Sequence, residues 1–268
     1  MNIENLIDIE SFKSQVDSFG MGAPFDHCII DNFFLPDVAK LLEKEFPDYD
    51  NDSLHLYSNS LERKKTSNNW NLFPPLTYKV FSFLNSKIFI DFLSTYISNK
   101  SQLYSDPGLN GGGWHMHKKG GKLNTHLDYS IHPKLGFQRK LNIIIYLNSA
   151  WKSEWGGELG LWGGENETTP GELVKSINPN FNRAVIFDTT QNSWHGLPTP
   201  LRCPDNQYRK SIAVYYLCAP DDKATLRGKA LFVPTKEQEG DLNILSLIKS
   251  RSKIETAASV YKNLKIKK

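Results

Sequence analysis

Apolar positions along the first hundred or so residues recur mostly at helical spacing. "FDHCIIDNFF" is the exception and reads as one early strand. "LPDVAKLLEKEF" follows, with Pro36 and Asp37 near a helix start and Val38, Leu41, Leu42 and Phe46 at the spacing of one helical face. "SNNWNLFPP" interrupts the pattern, and "LTYKVFSFLNSKIFIDFLSTYIS" resumes it as one or two amphipathic helices. From about residue 106 the texture changes. Glycines cluster at 111–113, 120–121, 156–157 and 163–164, and short β-rich runs lie between them: "KLNTHLDY", "RKLNIIIYLN", "GELGLW", "GELVKSI", "RAVIFD", "SWHGLP" and "YRKSIAVYYLCA". Many short strands separated by turn signals predict a sandwich or small barrel. After Pro220 helical spacing returns in "DLNILSLIKSRSKIETAASVYKNL". The expected plan is a single domain over 1–268, mainly β with flanking helices. Residues 1–105 form a mostly helical support with one early strand, 106–220 the β-core, and 221–268 a helical extension.

Composition narrows the function classes. The 268 residues are 39% hydrophobic and 12% aromatic, enough for a sizeable core. The formal net charge is only +3, from 32 basic and 29 acidic residues, so the overall field indicates no nucleic acid. The basic end "VYKNLKIKK" reads as a solvated terminus. Cys28, Cys203 and Cys218 are odd in number and widely spaced, which argues against a disulfide framework or a thiolate zinc site. The start lacks a basic n-region, and no apolar run approaches the length of a membrane span. A cytoplasmic protein is the default expectation. Oligomeric state is not legible.

The chemistry concentrates in "GGWHMHKKGGKLNTHLDYSIHP", which holds His115, His117, His126 and His132, four of seven histidines. Alternate residues of a strand share a face, so His126 and Asp128 form a two-ligand rack with Asn124 beside them. H-x-D also arises by chance on solvated strands. A third ligand supports the pair: His195 of "NSWHGLP", 69 residues beyond His126 (126 to 195), follows an apolar strand and a turn. Two histidines and a carboxylate suit a facial metal site. In "YRKSIAVYY", Arg209, Ser211, Ala213 and Tyr215 share one face. An arginine in an apolar strand is costly unless it meets an anion, and with Ser211 two places on it makes a forked carboxylate receptor.

These residues, read together as "HLD", "YLNSAW", "GGELGLW", "WHG" and "RKSIAVYY" in order over about 112–217, resemble the Fe(II)/2-oxoglutarate-dependent dioxygenase superfamily, in its prolyl-4-hydroxylase-like branch. Residues 25–47 resemble that branch's opening strand and helix. The resemblance implies a double-stranded β-helix, a jelly-roll or cupin-like core with the metal inside one open end. Position by position, it implies that His126, Asp128 and His195 bind Fe(II), and that Arg209, helped by Ser211 and Tyr146, binds the far carboxylate of 2-oxoglutarate. Asn142 shares a strand face with Tyr146, and Leu159 with Leu161 would form an apolar wall. Implied too are O2 as cosubstrate and ascorbate as a candidate reductant. The carboxylate of Asp128 points to C–H hydroxylation, because halogenating relatives lack it. One departure is the 14-residue gap from His195 to Arg209, filled by a loop in which Arg202 is the second candidate anchor.

The remaining histidines are expected near the pocket rim: His115 and His117 at the mouth, where substrate contact and solvent exposure both stay open, and His132 in a loop before Pro133. Trp114 and Trp194 are candidates for the cavity lining, against the commoner core role. The rim itself is expected from residues around 54–72, 105–122 and 196–208. Two other readings share the metal cage. One is a cupin-type isomerase or hydrolase, which would not need Arg209. The other is a sugar- or peptide-binding jelly roll without activity. The substrate, whether a prolyl residue or a small molecule, is left open.

Overall fold

A computed structural model describes residues 3–97, 101–164, 166–222 and 224–252. The chain begins with helix α1 (Ile9–Val16), whose N-cap Asp8 accepts a hydrogen bond from the Ser11 amide, and strand β1 (His27–Ile30). Helix α2 (Pro36–Lys44) starts on the proline, whose missing N–H costs nothing in a first turn. Hairpin β2 (His55–Ser58) and β3 (Glu62–Ser67) follows. The long apolar run then divides into α3 (Pro75–Leu84) and α4 (Lys87–Tyr96), because Asn85 ends one helix and the Ser86 hydroxyl caps the next.

The β-core comprises β4 (Tyr104–Ser105), β5 (Gly113–Lys118), β6 (Lys122–Leu123), β7 (His126–Leu127), β8 (Gln138–Tyr146), β9 (Leu159–Trp162), β10 (Leu173–Ile177), β11 (Ala184–Asp188), β12 (His195–Gly196) and β13 (Tyr208–Cys218). Strand β14 (Leu231–Phe232) and helix α5 (Leu242–Ser252) complete the described chain. All pairings are antiparallel. The large sheet runs β1-β11-β8-β13-β5-β3-β2, with β4 beside β13 and β6 beside β3. The small sheet runs β10-β9-β12-β7-β14. Tyr146, Val185 and Phe187 of the large sheet pack with Leu159, Leu161 and Ile177 of the small one. This is the jelly-roll arrangement expected from the sequence.

The large sheet divides its side chains by parity. Ile212, Val214 and Tyr216 of β13, Leu141, Ile143 and Ile145 of β8, and Trp114 and Met116 of β5 join the apolar core that includes α1–α4. The alternate residues, among them Arg209, Ser211, Asn142, His115 and His117, face an internal cavity. Both faces of these strands are therefore buried, one against helices and one against the site.

Three features differ from the sequence expectation. The early region contains the β2–β3 hairpin as well as β1; "ERKKTS" has no apolar period, and it is a strand because it pairs with the edge of β5. The region after Pro220 is not all helical, since Leu231–Phe232 pair with β7. Trp114 and Trp194 are buried core residues rather than cavity lining: Trp114 packs against Phe46 and Phe73, and the Trp194 indole donates to the Asn166 carbonyl. Cys28, Cys203 and Cys218 are buried and unpaired. No described helix is long and apolar enough to cross a membrane. The basic C-terminal stretch lies outside the described residues.

Ile186 sits at full burial in the middle of β11, paired to Ile143. Ile186→Ala is expected to destabilise the fold by about 2–5 kcal/mol, the usual range for a large buried aliphatic cut to alanine. Urea unfolding followed by tryptophan fluorescence measures it. A cost below about 1 kcal/mol would show that this layer is not close-packed.

Candidate metal centre and its cavity

The two histidines that are 69 residues apart in sequence become direct neighbours through strand pairing: His195 of β12 lies opposite His126 of β7. Their ring centroids are 4.3 Å apart. Asp128 follows β7 directly. Its Oδ1 is 3.8 Å from His126 Nε2 and its Oδ2 is 3.8 Å from His195 Nε2. One donor atom from each residue lies within 4.8 Å of the others, and all three side chains are buried.

Backbone geometry sets the tautomers. His126 Nδ1 is 2.9 Å from the Asn124 carbonyl, and His195 Nδ1 is 2.8 Å from the Ser193 carbonyl. A carbonyl only accepts, so each Nδ1 carries a proton and each Nε2 is the ring nitrogen turned toward Asp128. Burial, then the neighbouring His195, holds the His126 imidazole down at about 3, so it stays neutral. For Asp128, burial pushes the carboxyl up. The neighbouring His195, Arg139 and His126 and the Tyr215 hydrogen bond outweigh it and hold the group at about 2. Two imidazole nitrogens and one carboxylate oxygen on one side are the donor set of a 2-His-1-carboxylate site, which suits non-haem Fe(II).

Asp128 is held by residues that the sequence reading did not select. Tyr215 Oη donates to Asp128 Oδ2 at 3.0 Å. Arg139 Nη1 lies 3.7 Å from Asp128 Oδ1. Its guanidinium is sandwiched between the rings of Tyr129 and Tyr215, 3.4 Å from each centroid. Arg227 Nε donates to the Asp128 backbone carbonyl at 2.9 Å. Tyr215 was readable, since it shares the parity of Arg209 and Ser211 on β13. Arg139, at the start of an apolar strand, gave no such signal.

The cavity in front of these ligands measures about 260 Å³. Arg209, Ser211, Asn142 and Leu159 line it, with Ile144 beside them. Arg209 is buried, and among the described residues no carboxylate lies within ion-pair distance; its Nε has no hydrogen-bond partner. Its guanidinium lies 4.6 Å from the Tyr146 ring centroid, so Tyr146 supports the arginine from beneath. Gly157 makes room for it: at φ +89° a Cβ there would come within 2.9 Å of Arg209 Cδ. Arg202 is exposed and does not line the cavity.

The other candidates divide. His115 and His117 line the cavity from β5, opposite Ser211 and Arg209 in register; half-buried His115 also borders the adjoining groove, whereas His117 lies deeper than the mouth position expected for it. His117 is buried with neither ring nitrogen hydrogen-bonded. His132 is not at the rim. It is buried, with Nε2 3.4 Å from Asp106 and Nδ1 accepting from the Lys134 and Leu135 amides, so it organises its own turn. Asn124 is not in the cavity either. Its amide donates to the Val233 carbonyl and to Gln238 Oε1, tying β7 to the C-terminal segment, while its own carbonyl orients His126. Of the expected rim segments, Tyr57, Glu62 and Lys64 from the first, Asn110 and Gly111 from the second, and Gly196 and Leu197 from the third reach the cavity.

Comparison with known proteins finds a family profile that matches part of the chain. Residues 112–217 match the profile of the 2OG-Fe(II) oxygenase superfamily, whose chemistry uses Fe(II), 2-oxoglutarate and O2. A 78-residue stretch is 32% identical to prolyl 3-hydroxylase OGFOD1 of Xenopus laevis, covering 29% of this chain and 15% of that protein. A 57-residue stretch is 33% identical to the Mus musculus protein of the same name, covering 21% of this chain and 10% of that one. The match thus spans a small part of these curated relatives. A Pseudomonas putida prolyl-4-hydroxylase shares the fold at TM-score 0.50 and 13% identity, over 77% of this chain and 97% of its own. A Trichoplax adhaerens prolyl hydroxylase, solved with a hypoxia inducible factor peptide fragment, does so at TM-score 0.52 and 17% identity, over 76% and 87%.

Tyr215→Phe removes only the hydroxyl that donates to Asp128. It is expected to weaken binding of a divalent probe, Co(II) or Mn(II), roughly tenfold, as loss of an outer partner of a metal ligand does. Calorimetric titration measures the change. Affinity within about twofold of wild type would show that Arg139 alone orients the carboxylate.

Proposed function

We propose that the chain, whose residues 112–217 match the 2OG-Fe(II) oxygenase profile, is an Fe(II)- and 2-oxoglutarate-dependent dioxygenase that hydroxylates a C–H bond of its substrate. One observation carries the reading. A three-donor metal set and a buried arginine without a carboxylate partner share one cavity. A cupin-type isomerase or hydrolase would have no use for the arginine, and a binding module would have no use for the donor set.

In this reading His126, Asp128 and His195 hold Fe(II) on one face. Arg209 binds the far carboxylate of 2-oxoglutarate, Ser211 adds a hydroxyl, and Tyr146 keeps the guanidinium in place. Leu159 and Ile144 supply apolar walls, and Asn142 a polar contact, so the cosubstrate is oriented with little water around it. Bound there, iron with 2-oxoglutarate and O2 supplies the oxidising chemistry, giving succinate, CO2 and an oxygen atom placed in the C–H bond. The chain's share is orientation, exclusion of water and the lasting negative charge of Asp128, which Tyr215 and Arg139 protect. Ascorbate as reductant and a cytoplasmic setting accompany this reading. The substrate presents its C–H bond on a prolyl residue or a small molecule. The named relatives and both hydroxylase structures favour the prolyl class.

Anaerobic addition of Fe(II) and 2-oxoglutarate is expected to produce a metal-to-ligand charge-transfer band, and air to release succinate. Asp128→Ala should abolish the band. Arg209→Ala should raise the 2-oxoglutarate concentration needed by roughly tenfold to a hundredfold, the value of one charge-assisted interaction, while iron affinity stays near wild type. Arg202→Ala should change neither. If wild-type protein loaded with both shows no band, the oxygenase reading fails.

A further inference from the structure

The cavity holds a second group of charges that neither the metal nor the cosubstrate accounts for. Lys64 of β3, Lys229 just before β14 and Arg251 of α5 all line it. Buried Glu62 lies 3.2 Å from Lys64 and 2.5 Å from Arg251. Lys229 has no carboxylate within ion-pair distance among the described residues. Arg209 and Arg139 are already assigned, the first to 2-oxoglutarate and the second to Asp128. Lys64 shares its one carboxylate with Arg251, and Lys229 meets none among the described residues, so this half-buried wall can take an anion at these two lysines.

This wall adjoins the metal centre. Phe232 stacks on the His126 ring at 4.9 Å and 17°, and Arg251 lies 4.4 Å from the centroid of the same Phe232 ring. After burial, the Lys64 charge is the next cause lowering His115, and it also bears on His117 and His126. Lys64, Tyr57 and His115 also line an adjoining polar groove along the β2–β3 hairpin, which gives the rest of a substrate an approach.

We propose that this wall binds an anionic group of the primary substrate, a carboxylate or a phosphate, with Lys64 and Lys229 as its main contacts. Glu62 holds Lys64 and Arg251 in place between turnovers. The substrate class is thus an acid whose reacting C–H bond lies between its own anion and the metal position. This inference rests on the oxygenase reading above.

Inorganic phosphate is the probe. The protein is loaded with Mn(II) and saturating 2-oxoglutarate, and the relaxation of 31P in added phosphate is followed. Saturable enhancement is expected, because the anion sits close to the paramagnetic ion. Lys64→Met and Lys229→Met should each weaken phosphate roughly tenfold, the loss of one charged contact, with 2-oxoglutarate affinity unchanged. Acetate titrated against bound phosphate separates the sources: displacement at lower concentration than phosphate itself requires marks a carboxylate substrate, and the reverse marks a phosphorylated one. No saturable enhancement, enhancement indifferent to both variants, or a parallel loss of 2-oxoglutarate binding in the variants overturns the proposal. If wild-type protein with Mn(II) does not take up 2-oxoglutarate at all, it is the oxygenase reading that fails.

Discussion

Strand alternation is the constraint on which the site depends. β5, β8 and β13 lie side by side in the large sheet, and each must satisfy two different surroundings at once. Every second residue meets the helices α1–α4, where only apolar side chains fit. The residues between them meet the cavity, where Arg209, Ser211, Asn142, His115 and His117 stand. A one-residue slip of β13 would put Arg209 into the helical core and Ile212 into the site. The apolar layer therefore fixes the register, and the register places the polar groups. The helices act on the chemistry from a distance in this way, without touching it.

The small sheet adds precision at the metal end. β7 and β12 are only two residues long, too short to be held by their own ladder bonds alone. Their neighbours hold them: β14 pairs with β7, β9 with β12, and Asn124 ties into the C-terminal segment. Gly196 lets the backbones close up, since a Cβ there would meet the Leu123 carbonyl at 2.8 Å. Backbone carbonyls then orient both imidazoles. Asp128 needs a different kind of support, because burial pushes its carboxyl up. Arg139 supplies the permanent opposing charge, and two tyrosine rings shield that guanidinium from water.

Much of this was legible in the sequence where signals were periodic or ordered. The parity of "YRKSIAVYY" separated the Arg209 face from the Ile212 face, and "HLD" with a later "WHG" marked the three donors that converge. Signals failed where pairing across the chain decides the outcome. "ERKKTS" carries no apolar rhythm, so nothing local identified it as the strand that brings Lys64 to the cavity. His132, Trp114 and Trp194 resembled rim residues by position, yet their surroundings are buried and structural. Arg139 sits at sequence distance from every residue it serves. Only the fold sets Tyr129 and Tyr215 on either side of it.

Charge is zoned within the one cavity, and each zone comes from a different part of the fold. In the proposed reading the metal zone is anionic and is built at the small sheet, with Asp128 as its charge, and the cosubstrate zone is cationic and is built by β13. The third zone is also cationic, but its residues come from the elements that lie outside the matched segment: Glu62 and Lys64 from the hairpin, Lys229 and Arg251 from the C-terminal region. The first two zones lie within residues 112–217, which carry the family pattern, and the third does not. That division follows from what each zone must do. In that reading metal and cosubstrate binding demand the same donors whatever is oxidised, which suits their place on the common β-core. A feature that selects one substrate has to vary between proteins, and appended elements can vary without disturbing the register that the core depends on.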